Sequence, residues 1–280
     1  MDFPEGTVTI GGDLKVRRIG FGAMRLTGRG IWGAPANEDE AIRVLRRAIE
    51  LGVNLIDTAD SYGPEVSERL IAKALHPYPQ GLVIATKGGL LRPGPDRWTP
   101  NCQPAHLKES CEASLKRLKL ERIDLYQLHT ADPRVKLEDS IGALAELRAA
   151  GKIRHIGVSN FSVPELKRAQ AITPIVSVQN MYNMSDRKSD PIVDRCEAEG
   201  LGFLPWFPLA VGDLSRGSSR IDAIAKRHNA TPSQIALAWL LKRSPVMVPI
   251  PGTSSVAHLE ENVAAAKVQL SDEEFRSLAR

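Results

Sequence analysis

Four polar side chains in this sequence have the types needed to move a proton to or from a reacting oxygen. Asp57, Lys87 and His129 each end a short apolar run, and Tyr62 follows Asp57 by five residues. A lysine ammonium beside a tyrosine favours the phenolate, so we expect the pKa of Tyr62 to lie below its usual value of about 10. A carboxylate would hold that lysine charged, and the imidazole can donate a hydrogen bond to a substrate oxygen. Each residue alone is also compatible with a structural role, so the prediction depends on their meeting in one pocket.

The elements that must position these residues follow a repeated pattern of an amphipathic helix, a glycine and a short apolar run. In the clearest copy, Asn37 can cap a helix with Glu40 three residues later. Gly52 then stands where a left-handed residue would end that helix, and the apolar run 53–57 follows. Strands that alternate with helices indicate a parallel sheet, and continuous apolar runs indicate strands buried on both faces.

The pattern yields eight strand candidates, at 18–22, 53–57, 81–87, 122–129, 151–160, 174–179, 200–206 and 245–250. Because no linker divides the chain, we expect one α/β domain over 1–280, a (β/α)8 TIM barrel rather than a two-domain doubly wound sheet. A β-hairpin at about 7–17 is expected to close the bottom of a barrel spanning about 18–266, and a helix at about 271–279 ends the chain. The motif at 20–25 lacks the third glycine of a dinucleotide-binding fingerprint, which argues against a Rossmann fold.

Composition and charge argue against nucleic-acid-binding, membrane and metal-binding functions. The chain has 280 residues, of which 42% are hydrophobic and 25% charged, as in a globular protein with a sizeable core. Its 37 basic and 33 acidic residues are interspersed, so the net charge of +4 does not favour nucleic acid as a partner. The absence of a membrane-spanning apolar run and of a signal pattern predicts a soluble cytoplasmic protein. Cys102, Cys111 and Cys196 have neither disulfide-like nor metal-like spacing, so no metal site is expected.

The active site of a (β/α)8 barrel lies at the C-terminal ends of its strands, so the last residue of each apolar run is the informative one. Besides the four residues above, this rule brings Ser159, Asn160, Gln179 and Trp206 to the same rim. Polar or aromatic side chains from six adjacent strand ends are therefore expected to meet there.

Several motifs in combination resemble the aldo-keto reductase superfamily. They are GVNLIDTADSYG at 52–63, ATK at 85–87, LH at 128–129, GVSNF at 157–161 and PIPGT at 249–253. The resemblance runs from about 20 to 262 and beyond, and the stretches 206–209 and 250–255 look most like the bacterial branch that includes pyridoxal reductases. It implies the same barrel with an N-terminal hairpin, and an enzyme that reduces aldehydes and ketones to alcohols with NADPH.

Carried onto this sequence, the resemblance implies a catalytic tetrad of Asp57, Tyr62, Lys87 and His129. Tyr62 would be the general acid, and His129 would orient and polarise the carbonyl. Lys87 with Asp57 would tune Tyr62. The nicotinamide would deliver a hydride to the carbonyl carbon, a reaction that requires no metal.

The resemblance also implies a cofactor channel along the barrel rim. Ser159, Asn160 and Gln179 would clamp the nicotinamide carboxamide, and Trp206 would stack on the ring. A helix N-terminus after 252 would hold the adenosine 2′-phosphate. The other implied cofactor residues are Gly22, Ala23, Met24 and Asp57 along the channel, Phe207, Pro208 and Leu209 near the pyrophosphate, Gly252, Thr253, Ser254 and His258 near the 2′-phosphate, and Glu261 and Asn262 near adenine.

The 2′-phosphate region departs from the family pattern. A lysine that is common at the position of Gly252 is missing, and His258 stands where an arginine is common. A neutral imidazole binds phosphate less strongly than a guanidinium does. NADPH is therefore the expected cofactor, with NADH as a second cofactor left open.

The substrate is the least determined part of the prediction. Trp32 and Trp98 are candidate walls of the substrate pocket, and with Trp206 they favour flat aromatic or small aliphatic aldehydes. The resemblance to the branch that includes pyridoxal reductases makes pyridoxal a named candidate. Two alternatives stay open: a regulatory barrel, as in the potassium-channel β-subunits that resemble this family, and a Schiff-base aldolase in which Lys87 attacks a carbonyl. The expected partner is a small-molecule carbonyl compound, with no nucleic acid or membrane, and the chain is expected to be a monomer or a weak homo-oligomer.

Overall fold

Seven of the predicted strands form one parallel sheet in the computed structural model, which describes residues 6–209 and 219–278. These strands are β3 (Phe21–Gly22), β4 (Leu55–Asp57), β5 (Val83–Gly88), β8 (Ile123–Leu128), β9 (Ile153–Ser159), β10 (Ile175–Gln179) and β11 (Gly202–Phe203). Each pairs in parallel with the next along the chain, so their C-terminal ends meet on one side of the sheet.

The segment at 246–251 closes this sheet into a barrel. Val248 donates a backbone hydrogen bond of 2.8 Å to Phe203 on one side, and Gly20 donates one of 2.9 Å to Pro249 on the other. The segment has no regular ladder because Pro249 and Pro251 lack the N–H that a strand must donate. The predicted eighth strand is therefore present as an irregular segment that is hydrogen-bonded on both sides. The predicted (β/α)8 barrel is confirmed.

Helices cover the outside of the barrel. They are α1 (Glu38–Glu50), α2 (Val66–Leu75), α3 (Pro104–Leu118), α4 (Leu137–Ala149), α5 (Val163–Gln170), α6 (Asp190–Glu199), α7 (Ser219–Arg227), α8 (Pro232–Arg243), α9 (Val256–Ala264) and α10 (Asp272–Leu278). As predicted, Asn37 caps α1 by accepting a 3.0 Å hydrogen bond from the Glu40 amide. Gly52 follows that helix with a φ of +87°, a conformation that glycine adopts without strain. No helix in the described ranges is long and apolar enough to cross a membrane.

A hairpin of β1 (Thr7–Ile10) and β2 (Leu14–Arg17) lies across the N-terminal end of the barrel. The apolar side chains of Val8, Ile10 and Leu14 pack in one cluster with the barrel interior, including Leu125 and Val248. The predicted hairpin therefore closes the bottom of the barrel by burying its own apolar face there.

A second hairpin follows β5, in a segment for which the sequence pattern indicated no strand. It consists of β6 (Leu90–Gly94) and β7 (Arg97–Pro100), paired antiparallel, with Asp96 at a φ of +52° in its turn. The sequence RPGPDR at 92–97 has the proline and glycine content of an irregular loop, which explains the missed element. At the chain end, α10 stops within the predicted 271–279, and residue 279 lies outside the described residues.

Candidate active site

A cavity of about 450 Å³ opens at the C-terminal ends of the barrel strands. Most residues that the sequence indicated line it: Gly22, Met24, Asp57, Tyr62, Trp98, His129, Ser159, Asn160, Gln179, Trp206, Phe207, Pro208, Leu209 and Gly252. Ile31, Leu90 and Ile250 add apolar surface that the sequence patterns did not indicate. Arg25 and Asp96 also line it, so the cavity combines polar strand ends with walls that are partly apolar and partly charged.

Lys87 lies at the floor of this site with no solvent exposure. Its Nζ donates to Asp57 Oδ1 at 2.5 Å, to the Thr58 carbonyl at 2.9 Å and to the Tyr62 hydroxyl at 3.3 Å. Burial lowers the pKa of Lys87, but the charge of the Asp57 carboxylate and the hydrogen bonds to Asp57 and Tyr62 outweigh burial and raise it above its ordinary value. Lys87 is thus held as an ammonium between a carboxylate and a phenol.

Asp57 receives two further donors from inside the barrel. Gln127 and Gln179 donate to its Oδ2 at 3.0 and 2.8 Å. Sequence reasoning assigned no role to Gln127, although its place on the interior face of β8, two residues after Leu125, was available as a signal. Gly157 on β9 leaves the room for it, because a Cβ there would meet Gln127 Cγ at 2.9 Å. The carboxylate is therefore fixed from three directions.

Tyr62 lies in the loop after β4 and is almost fully buried. Burial raises the pKa of Tyr62 above 10.0; Lys87 acts in the opposite sense, but Asp57 adds to the increase. The expected lowering of this pKa is therefore wrong, because the phenolate would lose its hydration while the lysine charge is largely compensated by Asp57. The consequence is a tyrosine that keeps its proton at neutral pH.

His129, directly after β8, faces Tyr62 across the site. The two rings make an edge contact with centroids 5.8 Å apart, and Ser61 Oγ lies 3.4 Å from His129 Nδ1. Burial, together with the charges of Lys87 and Arg92, holds the pKa of His129 well below its ordinary value. Among the described residues the ring makes its hydrogen bond at Nδ1, to Ser61, so a neutral imidazole has Nε2 left for a ligand.

Three side chains at the rim provide hydrogen-bonding groups that match a carboxamide. Asn160 donates to Ser159 Oγ at 3.2 Å and accepts from the Trp206 indole at 3.0 Å, which fixes both neighbours. Ser159 keeps its hydroxyl proton to donate, and the Gln179 Oε1 has no partner in the described part of the chain. A donor and an acceptor are thus available for the carbonyl and the amino group of a nicotinamide carboxamide.

Of the residues assigned to the adenosine end, Gly252 lines the cavity and the others lie outside its lining. His258 on α9 is exposed and Asn262 is buried. Glu261 accepts a 2.5 Å hydrogen bond from Thr231 at the start of α8. At the N-terminus of α9, Glu40 accepts a 3.4 Å hydrogen bond from the Val256 amide, which places a carboxylate where an anion was expected.

Besides the fully buried Lys87, four more sequence-indicated residues are outside the cavity lining. Ala23 is buried in the core beside α1, and Thr253 accepts a hydrogen bond from the Ser255 amide at 3.1 Å. Ser254 is exposed. Trp32 forms a bridge with Gly63 and lies beside the Arg92 guanidinium, so of the two tryptophans assigned to the substrate pocket only Trp98 lines the cavity.

The barrel and this site define a class of protein, the barrel oxidoreductases that act with a nicotinamide cofactor. The chain belongs to the aldo/keto reductase family, whose sequence model matches residues 18–280. It is 50% identical over 273 residues to an oxidoreductase of Schizosaccharomyces pombe, an alignment that covers 98% of this chain and 89% of that protein. It is 42% identical over 273 residues to the pyridoxine 4-dehydrogenase of Escherichia coli, with 95% of each chain covered.

Solved structures agree with this assignment. The glycerol dehydrogenase of Gluconobacter oxydans superposes with a TM-score of 0.86 at 27% identity, covering 98% of this chain and 94% of that one. An aldo-keto reductase of Klebsiella pneumoniae in complex with NADPH gives a TM-score of 0.83 at 27% identity, covering 98% and 93%. The protein is thus an NADP-dependent oxidoreductase of the aldo-keto reductase type, as the sequence motifs predicted.

Proposed function

We propose that this enzyme reduces aldehydes to primary alcohols with NADPH, that Tyr62 is its general acid, and that flat aromatic aldehydes, including pyridoxal, are its best substrates. The observation that carries the proposal is the position of the Tyr62 hydroxyl. It lies 3.3 Å from a buried ammonium, on Lys87, in a cavity that His129 also lines.

The proton step follows from these contacts. Reduction of a carbonyl generates an alkoxide, and Tyr62 keeps the proton that this oxygen needs because burial raises the pKa of Tyr62. When Tyr62 gives that proton up, the phenolate oxygen is left beside the Lys87 ammonium, which stabilises it. Asp57 holds the ammonium in place, and Gln127 and Gln179 hold Asp57.

His129 is proposed to position the carbonyl rather than to supply the proton. Its low pKa keeps the imidazole neutral, so it can donate one N–H to the carbonyl oxygen without placing a second cation beside Lys87. Ser61 at Nδ1 and the edge contact with Tyr62 fix the ring. Tyr62 and His129 then approach the same oxygen from two directions.

The cofactor is proposed to bind along the rim. Ser159 and Gln179 would hold the carboxamide of the nicotinamide, and Trp206, fixed by Asn160, would cover its ring. The bound cofactor supplies the hydride, which no side chain can provide. We propose NADPH as the preferred cofactor and NADH as a weaker one, because the exposed His258 and the carboxylate of Glu40 flank the expected phosphate position.

The aromatic lining supports the substrate class. Trp98 and Tyr62 make an edge contact at 6.3 Å, and Trp206 lines the same cavity, so a flat ring finds aromatic faces on more than one side. The similarity to the pyridoxine 4-dehydrogenase of Escherichia coli adds support for pyridoxal, an aromatic aldehyde.

The Schiff-base alternative fits the site poorly. An amine must be neutral and reach the substrate to attack a carbonyl, whereas Lys87 is fully buried, bonded to Asp57 and held protonated. The regulatory-barrel alternative makes a different prediction, namely tight cofactor binding without aldehyde-dependent turnover.

The test follows reduced-nicotinamide absorbance with NADPH and NADH in parallel, using 4-nitrobenzaldehyde, pyridoxal and propanal. We expect oxidation that depends on aldehyde, is faster with NADPH and has a lower KM for the two aromatic substrates. Cofactor binding without turnover of any of the three would favour the regulatory barrel. Covalent trapping of an aldehyde on Lys87 by borohydride would favour the aldolase.

A further inference from the structure

Arg92 is a buried cation that the reaction described above does not use. It lies on β6, and its guanidinium donates to backbone carbonyls in three different loops. The acceptors are Arg97 at 3.0 Å and Gly94 at 3.5 Å in its own hairpin, Gly30 at 2.8 Å and Ile31 at 2.7 Å after β3, and Ser61 at 3.1 Å after β4. All five N–H groups of the side chain therefore have acceptors, so none remains to bind an anionic substrate.

The flat face of the same guanidinium covers Trp98. The Arg92 Cζ lies 3.7 Å from the centroid of the Trp98 ring, a close cation–π stack. Trp98 in turn makes edge contacts with Tyr62 and His129, both with centroids 6.3 Å away. Trp98 is also the most solvent-exposed of these rings, at 37%, so the Arg92 stack adds contact to a ring that is only partly packed.

These contacts connect the loops that surround the reacting groups. Ser61, whose carbonyl Arg92 binds, is the residue before Tyr62, and its hydroxyl faces His129. Gly30 accepts both from Arg92 and, at 3.0 Å, from the amide of Asp96 in the hairpin turn. One side chain thus joins the loops after β3, β4 and β5 and supports the aromatic wall that they form.

We propose that Arg92 is a positioning residue that sets the substrate wall of this reductase by holding Trp98 against Tyr62 and His129. The inference rests on the proposed function for its substrate class. Arginine is required because its fork reaches five acceptors in one plane while the same plane stacks on the indole; a lysine has three donors and no planar face. The side chain acts through Trp98 and does not itself line the cavity.

A wall formed by a fixed Trp98 ring selects aldehyde substrates by their shape. A flat aromatic aldehyde gains a stacking surface only if Trp98 is fixed, whereas a small aliphatic aldehyde gains little from the ring. Loss of Arg92 should therefore affect the binding of aromatic substrates more than that of aliphatic ones, and affect KM more than kcat, because Tyr62 and Lys87 keep their own contacts.

The kinetic test compares Arg92→Lys with Arg97→Lys, the same substitution at an exposed side chain of the same hairpin that leaves its backbone carbonyl in place. For 4-nitrobenzaldehyde we expect KM to rise about tenfold in Arg92→Lys and kcat to fall less than about threefold. For propanal, and for both aldehydes in Arg97→Lys, KM should change less than about twofold. Trp98→Leu should reproduce the loss of selectivity, and adding it to Arg92→Lys should cause little further change.

Equal KM increases for both aldehydes, or a fall in kcat alone, would overturn the proposal and make Arg92 a purely structural residue. Deuterium exchange gives a reading that does not depend on turnover. Amides at 28–33 and at 94–98 should exchange faster together in Arg92→Lys than in Arg97→Lys, with the amides of β8 unchanged. If the wild-type enzyme reduces no aldehyde, the proposed function fails, while the exchange result still decides whether Arg92 joins these loops; unchanged exchange would overturn that part too.

Discussion

The ammonium of Lys87 lies 2.5 Å from Oδ1 of Asp57, and both side chains are shielded from solvent. A buried ion pair of this kind costs desolvation energy, so it is weak support for stability by itself. Here it keeps an ammonium within 3.3 Å of the Tyr62 hydroxyl. The role of the pair is therefore to keep a positive charge beside the Tyr62 hydroxyl, ready for proton transfer.

Replacing Tyr62 with phenylalanine should remove the proton donor and little contact area. We expect kcat for aldehyde reduction to fall at least about 100-fold in Tyr62→Phe, with the Kd for NADPH within about twofold of the wild-type value. Steady-state kinetics and fluorescence titration measure the two quantities. Tyr78→Phe, which removes a hydroxyl bonded to the distant Leu118 carbonyl, is the matched control and should keep its turnover. Turnover near the wild-type value in Tyr62→Phe would refute the assigned acid.

Breaking the Lys87–Asp57 pair from one side should cost more stability than removing both charges. Asp57→Asn or Lys87→Met alone leaves a buried charge unpaired, and we expect each to lower the free energy of unfolding by about 3 kcal/mol. The double variant should be more stable than either single variant, while all three lose most of their activity. Urea denaturation measures the free energy of unfolding, and the aldehyde assay measures the activity. A loss of stability in the double variant equal to the sum of the two single losses would contradict the prediction.

The low pKa of His129 predicts a pH dependence of stability. In the unfolded chain a histidine titrates near 6.5, whereas burial keeps His129 neutral in the folded protein well below that pH. Between the folded and unfolded pKa values of His129, the unfolded state therefore binds more protons than the folded state. The contribution of His129 to the free energy of unfolding is complete above pH 6.5 and is lost as the pH falls.

Urea denaturation of the wild type and of His129→Asn at about pH 7.5, 6.5 and 5.5 tests this sign. We expect the free energy of unfolding of the wild type to fall more steeply with acidification, by up to about 1.4 kcal/mol per pH unit attributable to this group. His258→Asn, at an exposed position, should follow the wild-type curve. If the free energy of unfolding of the wild type and of His129→Asn changed with pH in parallel, the pKa of His129 would be the same in the folded and the unfolded chain, and the prediction would fail.

The cofactor preference should respond to charge at the start of α9. His258→Arg supplies a guanidinium near the proposed 2′-phosphate position and should lower the KM for NADPH by about three- to tenfold. NADH, which lacks that phosphate, serves as the internal control and should keep its KM. Equal changes for both cofactors would place the 2′-phosphate elsewhere. The effect should shrink with added salt, because His258 is exposed.

The fold was largely predictable because its signals are local. The capping of α1 by Asn37, the glycine after that helix and the apolar runs each depend on a few neighbouring residues. The eighth strand position was located correctly even though its prolines prevent a regular strand. Its residues are apolar because they are buried in the barrel interior, and that pattern is visible in the sequence. The β6–β7 hairpin was missed because residues 92–97 have the proline and glycine content of an irregular loop, and the Arg92 contacts that join it to distant loops leave no local pattern.

The sequence predicted which residues at the strand ends lie near one another, but not the contacts between them. Residues at strand ends were named correctly as neighbours, since parallel strands deliver their C-terminal ends to one rim. Gln127 was overlooked although its interior position on β8 was visible in the sequence, because its partner Asp57 lies 70 residues away in the chain. Arg92 was overlooked because arginine in a loop is most often a solvated side chain.

By itself, the sequence determined the barrel, the family and the set of side chains that gather at the strand ends, because periodicity, capping and motif spacing are properties of residues close together in the chain. Only the tertiary structure decided how those side chains act on one another. Burial, which depends on every surrounding element, reversed the expected pKa shift of Tyr62 and made His129 neutral. Contacts between residues far apart in sequence fixed Asp57 and placed Arg92 against Trp98.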